Sequence, residues 1–152
     1  MSLTLDFRLL DIQGVLQHFK SKLCIIPKYE NPSNNNVVVL AAGCSAPNAL
    51  FRSLSDGSLQ HVATEMCLSP KGKCEKPSDD TELVLVDQCR KKETVFSFTD
   101  EGSLMHVMSK SCARTSSYPV STKETTMVIL NSVCDPTKFK FEMVTGGCVM
   151  CH

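Results

Sequence analysis

Three observations predict an all-β fold built from three pseudo-symmetric repeats. A five-residue motif returns at near-constant spacing, a cysteine pair and a phenylalanine follow it in fixed step, and short β-branched runs alternate with polar loops. Gly14-Val15-Leu16-Gln17-His18 recurs as Gly57-Ser58-Leu59-Gln60-His61 and again as Gly102-Ser103-Leu104-Met105-His106, 43 and then 45 residues on. Six residues after each histidine stands a cysteine, Cys24, Cys67 and Cys112. A second cysteine closes each unit at Cys44, Cys89 and Cys134, in steps of 45 residues, and seven residues further lie Phe51, Phe96 and Phe141. Matched offsets of this number mark an internal repeat.

Within a unit the local signals are β. Phe51-Arg52-Ser53-Leu54, Asp56-Gly57 and Ser58-Leu59-Gln60-His61 read as strand, tight turn and strand, because Asp-Gly supplies the positive φ of a hairpin turn. Val37-Val38-Val39-Leu40, Leu83-Val84-Leu85-Val86 and Met127-Val128-Ile129-Leu130 are short apolar runs of the kind that form buried strands. Each unit offers about four strands and the chain about twelve, with no helix predicted.

Three such units must close on themselves or leave edges exposed. Propellers need ~4–8 blades to close. Three units of this length fit the β-trefoil, a barrel capped by three hairpins. The expected organisation is one domain over residues 1–152, with units at about 5–48, 49–93 and 94–138 and a closing tail at 139–152. Leu16, Leu59 and Leu104 are expected to form one symmetric core layer and Phe51, Phe96 and Phe141 another. Residues 141–147 restart the motif and are expected to pair beside the first strand, near Phe7.

Sixteen basic residues balance sixteen acidic ones, which gives no electrostatic case for nucleic acid or an anionic membrane as the main partner. No stretch approaches the roughly 20 apolar residues of a membrane helix. The opening stretch MSLTLDFRLLDIQG lacks a basic n-region and a sustained apolar run. The expectation is a mature or excised domain, or one outside the secretory route. Gly-rich phosphate loops, G-x-S-x-G elbows and H-E-x-x-H helices do not occur, so no enzyme is predicted.

At this point the chain resembles the ricin-type lectin repeats, over roughly residues 5–147. The turn glycine, the two cysteines and the closing aromatic carry the resemblance. The Gln-x-Trp positions of that family read Ala49-Leu50-Phe51, Thr94-Val95-Phe96 and Phe139-Lys140-Phe141 here, with phenylalanine for tryptophan and no glutamine. The family aspartate just after the first cysteine is also missing: the stretches are Cys24-Ile25-Ile26, Cys67-Leu68-Ser69 and Cys112-Ala113-Arg114. The resemblance implies disulfides Cys24–Cys44, Cys67–Cys89 and Cys112–Cys134, and with them an extracellular, secreted setting. The alternative is six reduced core cysteines.

Cys74, Cys148 and Cys151 remain. Cys148-Val149-Met150-Cys151-His152 matches the C-x-x-C-H haem-attachment string, but an all-β repeat domain offers no apolar haem pocket at its terminus. Zinc on Cys74, Cys148, Cys151 and His152 has the right ligand types. A further disulfide or spare thiols is the reading preferred here, with no cofactor and no metal.

The function this implies is non-catalytic carbohydrate binding at shallow sites in the repeat loops, with glycans or glycoproteins as partners. The alternative is a protein-binding, adhesion or inhibitor-like trefoil that has lost sugar recognition. The candidate sugar contacts are Tyr29, Asn34 and Asn36 in unit one, Asp79 and Asp80 in unit two, and Tyr118 in unit three, beside Lys28, Lys71, Arg114 and Lys123. Sugars need an aromatic face and planar amides or carboxylates for vicinal hydroxyls. Unit one, with Tyr29 next to several asparagines, is the expected strongest site, although Asn, Ser and Pro also simply make turns. His18, His61 and His106 share a face with the core leucine two residues before. They either hydrogen-bond a loop carbonyl in the interior or line a shallow pocket.

Overall fold

The structure, a computed structural model, describes residues 12–72, 76–120 and 125–145. Twelve strands occur among them: β1 Ile12–His18, β2 Cys24–Pro27, β3 Asn36–Ala41, β4 Leu50–Ser53, β5 Leu59–His61, β6 Cys67–Pro70, β7 Thr81–Val86, β8 Phe96–Phe98, β9 Leu104–His106, β10 Cys112–Thr115, β11 Thr126–Asn131 and β12 Phe141–Val144. Two single 3-10 turns, Pro47–Ala49 and Lys92–Thr94, lead into β4 and into β8. No helix among the described residues is long and apolar enough to cross a membrane.

The strands close as the repeat requires. β1 pairs antiparallel with both β4 and β12, in register Gly14↔Phe51 and His18↔Phe141. β4 pairs with β5, and β8 with β9. The amides of Phe96 and Phe141 donate to the carbonyls of Gly57 and Gly102, which stitches each unit to the next. The tail strand therefore lies beside the first strand, as expected, while Phe7 falls outside the described residues. The hairpins β2–β3, β6–β7 and β10–β11 form the cap, and β3, β7 and β11 meet pairwise at its centre.

The repeated glycine serves two purposes. Gly57 and Gly102 adopt φ of 98° and 105° in their turns, a region L side chains avoid. Gly14 lies instead within β1, where an added Cβ would stand 2.6 Å from the Val144 carbonyl oxygen of β12. A side chain there would push the closing strand away.

Leu16, Leu59 and Leu104 are buried in one cluster with Phe51, Phe96 and Phe141, and with Ile25, Leu68 and Ala113 from the cap hairpins. The three cysteine pairs are disulfides, Cys24–Cys44, Cys67–Cys89 and Cys112–Cys134. Each ties the first strand of a cap hairpin to the chain leaving the second. By limiting the unfolded chain, each stabilises the fold by about 3 kcal/mol. Cys74, Cys148, Cys151 and His152 lie outside the described residues.

Candidate functional site

The three histidines are structural pins. The Nε2 atoms of His18, His61 and His106 lie 2.8, 2.7 and 2.9 Å from the carbonyl oxygens of Lys138, Asn48 and Glu93. A carbonyl only accepts, so Nε2 carries the proton. Nδ1 then accepts from the hydroxyls of Ser21, Thr64 and Ser109 at 2.7, 2.8 and 2.8 Å. Each imidazole also meets its phenylalanine, Phe141, Phe51 or Phe96, with ring centroids 5.2–5.3 Å apart. Burial pushes all three below the ordinary histidine value, against the opposing pull of the carbonyl bonds. No ring nitrogen is left for a ligand. His18, His61 and His106, expected as candidate sugar contacts, thus have both ring nitrogens engaged within the fold.

The candidate loop residues divide in the same way. Asn34 Oδ1 accepts from the Asp87 amide at 2.9 Å, and Asp79 Oδ1 accepts from the Ser132 amide at 2.8 Å. The two are repeat equivalents, each clamping its loop to the strand end of the following unit. Asn36 Oδ1 takes the Ser33 amide at 2.7 Å and the Ser33 hydroxyl at 3.1 Å, closing a turn. Tyr29 is exposed, with the Lys28 ammonium 5.6 Å from its ring centre. Unit one thus supplies an exposed ring, but the amide oxygens expected beside it already hold backbone and hydroxyl donors.

Asp80 and Tyr118, taken from different units, are brought together. They line a cleft of about 230 Å³ with Arg114, residues 115–117, Ile129 and Phe139. Asp80 reaches it because its backbone is left-handed, φ 71°, and its amide is anchored on the Leu130 carbonyl at 2.8 Å. Arg114 projects from β10, paired opposite Ile129 of β11. The rim between Thr115 and Tyr118 is held by Ser116, whose amide and hydroxyl bond Met127 at 2.9 Å.

Aromatic contacts fix the cleft wall. Phe139, buried, stacks under the Arg114 guanidinium at 4.5 Å and meets the edge of Tyr118 at 5.5 Å. Lys138 lies 5.5 Å from the Tyr118 ring centre. Tyr118 is 40% exposed, enough ring to stack on a ligand. Asp80 only accepts hydrogen bonds and Arg114 only donates them, a pairing that suits vicinal hydroxyls over an aromatic face.

The other units lack this combination. At the positions equivalent to Arg114 and Phe139 stand Ser69 and Thr94 in one repeat and Ile26 and Ala49 in the other, the second of each pair just past the closing cysteine. Arg114 is named beside the expected contacts of unit three, whereas Phe139 is not among them. The signal for them was present as residues found in one repeat alone, a cation two places after the first cysteine and an aromatic where the family has glutamine. Lys123 falls outside the described residues. Among the described residues, no group of three His, Cys, Asp or Glu side chains is placed to hold a metal.

The family model for MytiLec, described as an alpha-D-galactose-binding lectin, matches residues 14–145. No curated protein matches the sequence. Among solved structures, the designed three-fold symmetric protein ThreeFoil superposes with a TM-score of 0.71 at 16% identity, over 87% of this chain and 97% of its own. A ricin B-like lectin of Macrolepiota procera, solved with lactose, gives 0.70 at 16% identity, over 88% and 94%. The C-terminal domain of an earthworm lectin, a mutant solved with 6'-sialyllactose, gives 0.64 at 8% identity, over 88% and 98%.

Proposed function

The chain belongs to the MytiLec family of alpha-D-galactose-binding lectins, and on that premise we propose that it is a non-catalytic galactoside-binding β-trefoil whose working site is the cleft of unit three. The observation that carries the site is the convergence of Asp80, Arg114 and Tyr118 on a Phe139 floor. A galactoside laid on Tyr118 would give hydroxyl protons to Asp80 and take hydrogen bonds from Arg114. The ricin-type repeat plan is kept in the cysteine spacing, while the acceptor carboxylate comes from the neighbouring unit's loop. The three disulfides support an oxidising, extracellular setting.

Titration calorimetry with methyl α-D-galactoside, and with methyl α-D-mannoside as the control, tests the reading. Weak saturable binding of the galactoside alone is expected, because a single shallow site makes few contacts. A protein that binds neither sugar, and scores no glycan on a broad array, would instead favour a protein-binding trefoil.

A further inference from the structure

We propose that the unit-three cleft prefers galactosides carrying one negative charge, a sulfate or a carboxylate, over neutral ones; this rests on the galactoside-binding reading above. Arg114 is half-buried, with its guanidinium carbon 4.5 Å over the centre of the Phe139 ring. Stacking occupies the guanidinium's face and leaves its N–H edge to act as a donor. Among the described residues Arg114 makes no ion pair, although Asp80 lines the same cleft.

A neutral sugar does not need such a donor. A hydroxyl or backbone N–H supplies hydrogen bonds at a lower desolvation cost than a half-buried cation with no ion pair among the described residues. An oxyanion uses both the charge and the planar fork, and charge-assisted bonds are roughly twice as strong as neutral ones. Lys138, 5.5 Å from the Tyr118 ring centre, adds a second cation near the cleft wall. The feature is confined to unit three, since Ser69 and Ile26 take the Arg114 position in the other units.

The test uses the whole chain and three probes: methyl α-D-galactoside, its 6-O-sulfate, and methyl α-D-galacturonoside. At low salt the wild type should bind at least one charged probe about tenfold to a hundredfold tighter than the neutral one. Which charged probe wins identifies sulfate or carboxylate as the natural group. The preference should shrink at high ionic strength. Arg114→Gln should bring the charged-to-neutral ratio near one, and Arg114→Lys should keep part of it. Circular dichroism checks that both variants fold; should they not, Lys138→Gln and the salt dependence of the wild type decide. Equal or weaker binding of both charged probes, or a preference indifferent to salt, overturns the inference and leaves the galactoside reading standing. No binding of any probe removes both.

Discussion

Acidifying the protein from pH 7.5 to pH 5.5 is expected to remove stability in step with three buried imidazoles. His18, His61 and His106 are held neutral, Nε2–H on a carbonyl and Nδ1 accepting from a hydroxyl. The Ser21 amide also points at His18 Nδ1, from 3.3 Å, which opposes a proton there. Burial is the largest cause of the lowered values. Lys20 adds to it at His18, while Glu93 works against it at His106. In the unfolded chain each histidine titrates near ~6.5. Between that value and the lowered native one, the unfolded state binds more protons. The stabilising contribution is therefore complete above pH ~6.5, falls as the pH drops towards the native values, and levels off below them. Each histidine can contribute at most about 1.4 kcal/mol per pH unit, so the three together at most about 4. Urea midpoints at pH 7.5, 6.5 and 5.5 measure the slope. Midpoints that hold constant or rise on acidification would refute the neutral, pinned state.

Four further expectations concern the cleft, a loop clamp, a disulfide and the core. Tyr118→Ala and Asp80→Asn should each weaken galactoside binding by about tenfold to a hundredfold, seen by calorimetry, while Tyr29→Ala leaves it unchanged. Asp79→Ala should cost about 0.5–1.5 kcal/mol in urea unfolding, because the exposed Ser132 amide exchanges its carboxylate acceptor for water. Paired Cys67→Ser and Cys89→Ser changes should cost about 3 kcal/mol, measured the same way. Leu104→Ala, in the symmetric core layer, should cost about 2–5 kcal/mol and lower the melting temperature accordingly.

The fold was legible because the repeat writes each element three times. Strand alternation alone put Leu59 and His61 on one face, and the structure buries both. The site was legible only in part, for a physical reason. Composition around Tyr29, Asn34 and Asn36 gives the groups a sugar needs, but it does not say which donors those amides already satisfy. Asn34 and Asp79 show what was missed: two planar acceptors at equivalent positions are the mark of a repeated clamp as much as of a repeated site. The cleft itself joins Asp80 of unit two to Arg114 and Tyr118 of unit three and to Phe139 at the start of the tail, and no local pattern connects them. Its trace in the sequence is a break of symmetry. Where function departs from scaffold, a repeat protein shows residues that one unit alone carries.

Amide chemical-shift mapping of the isotope-labelled protein during titration with methyl α-D-galactoside locates the sugar on the molecule. Saturable shifts are expected at Asp80, at residues 114–118 and at Phe139, with residues 29–36 unmoved. Shifts confined to residues 29–36, with the unit-three cleft silent, would contradict the cleft site.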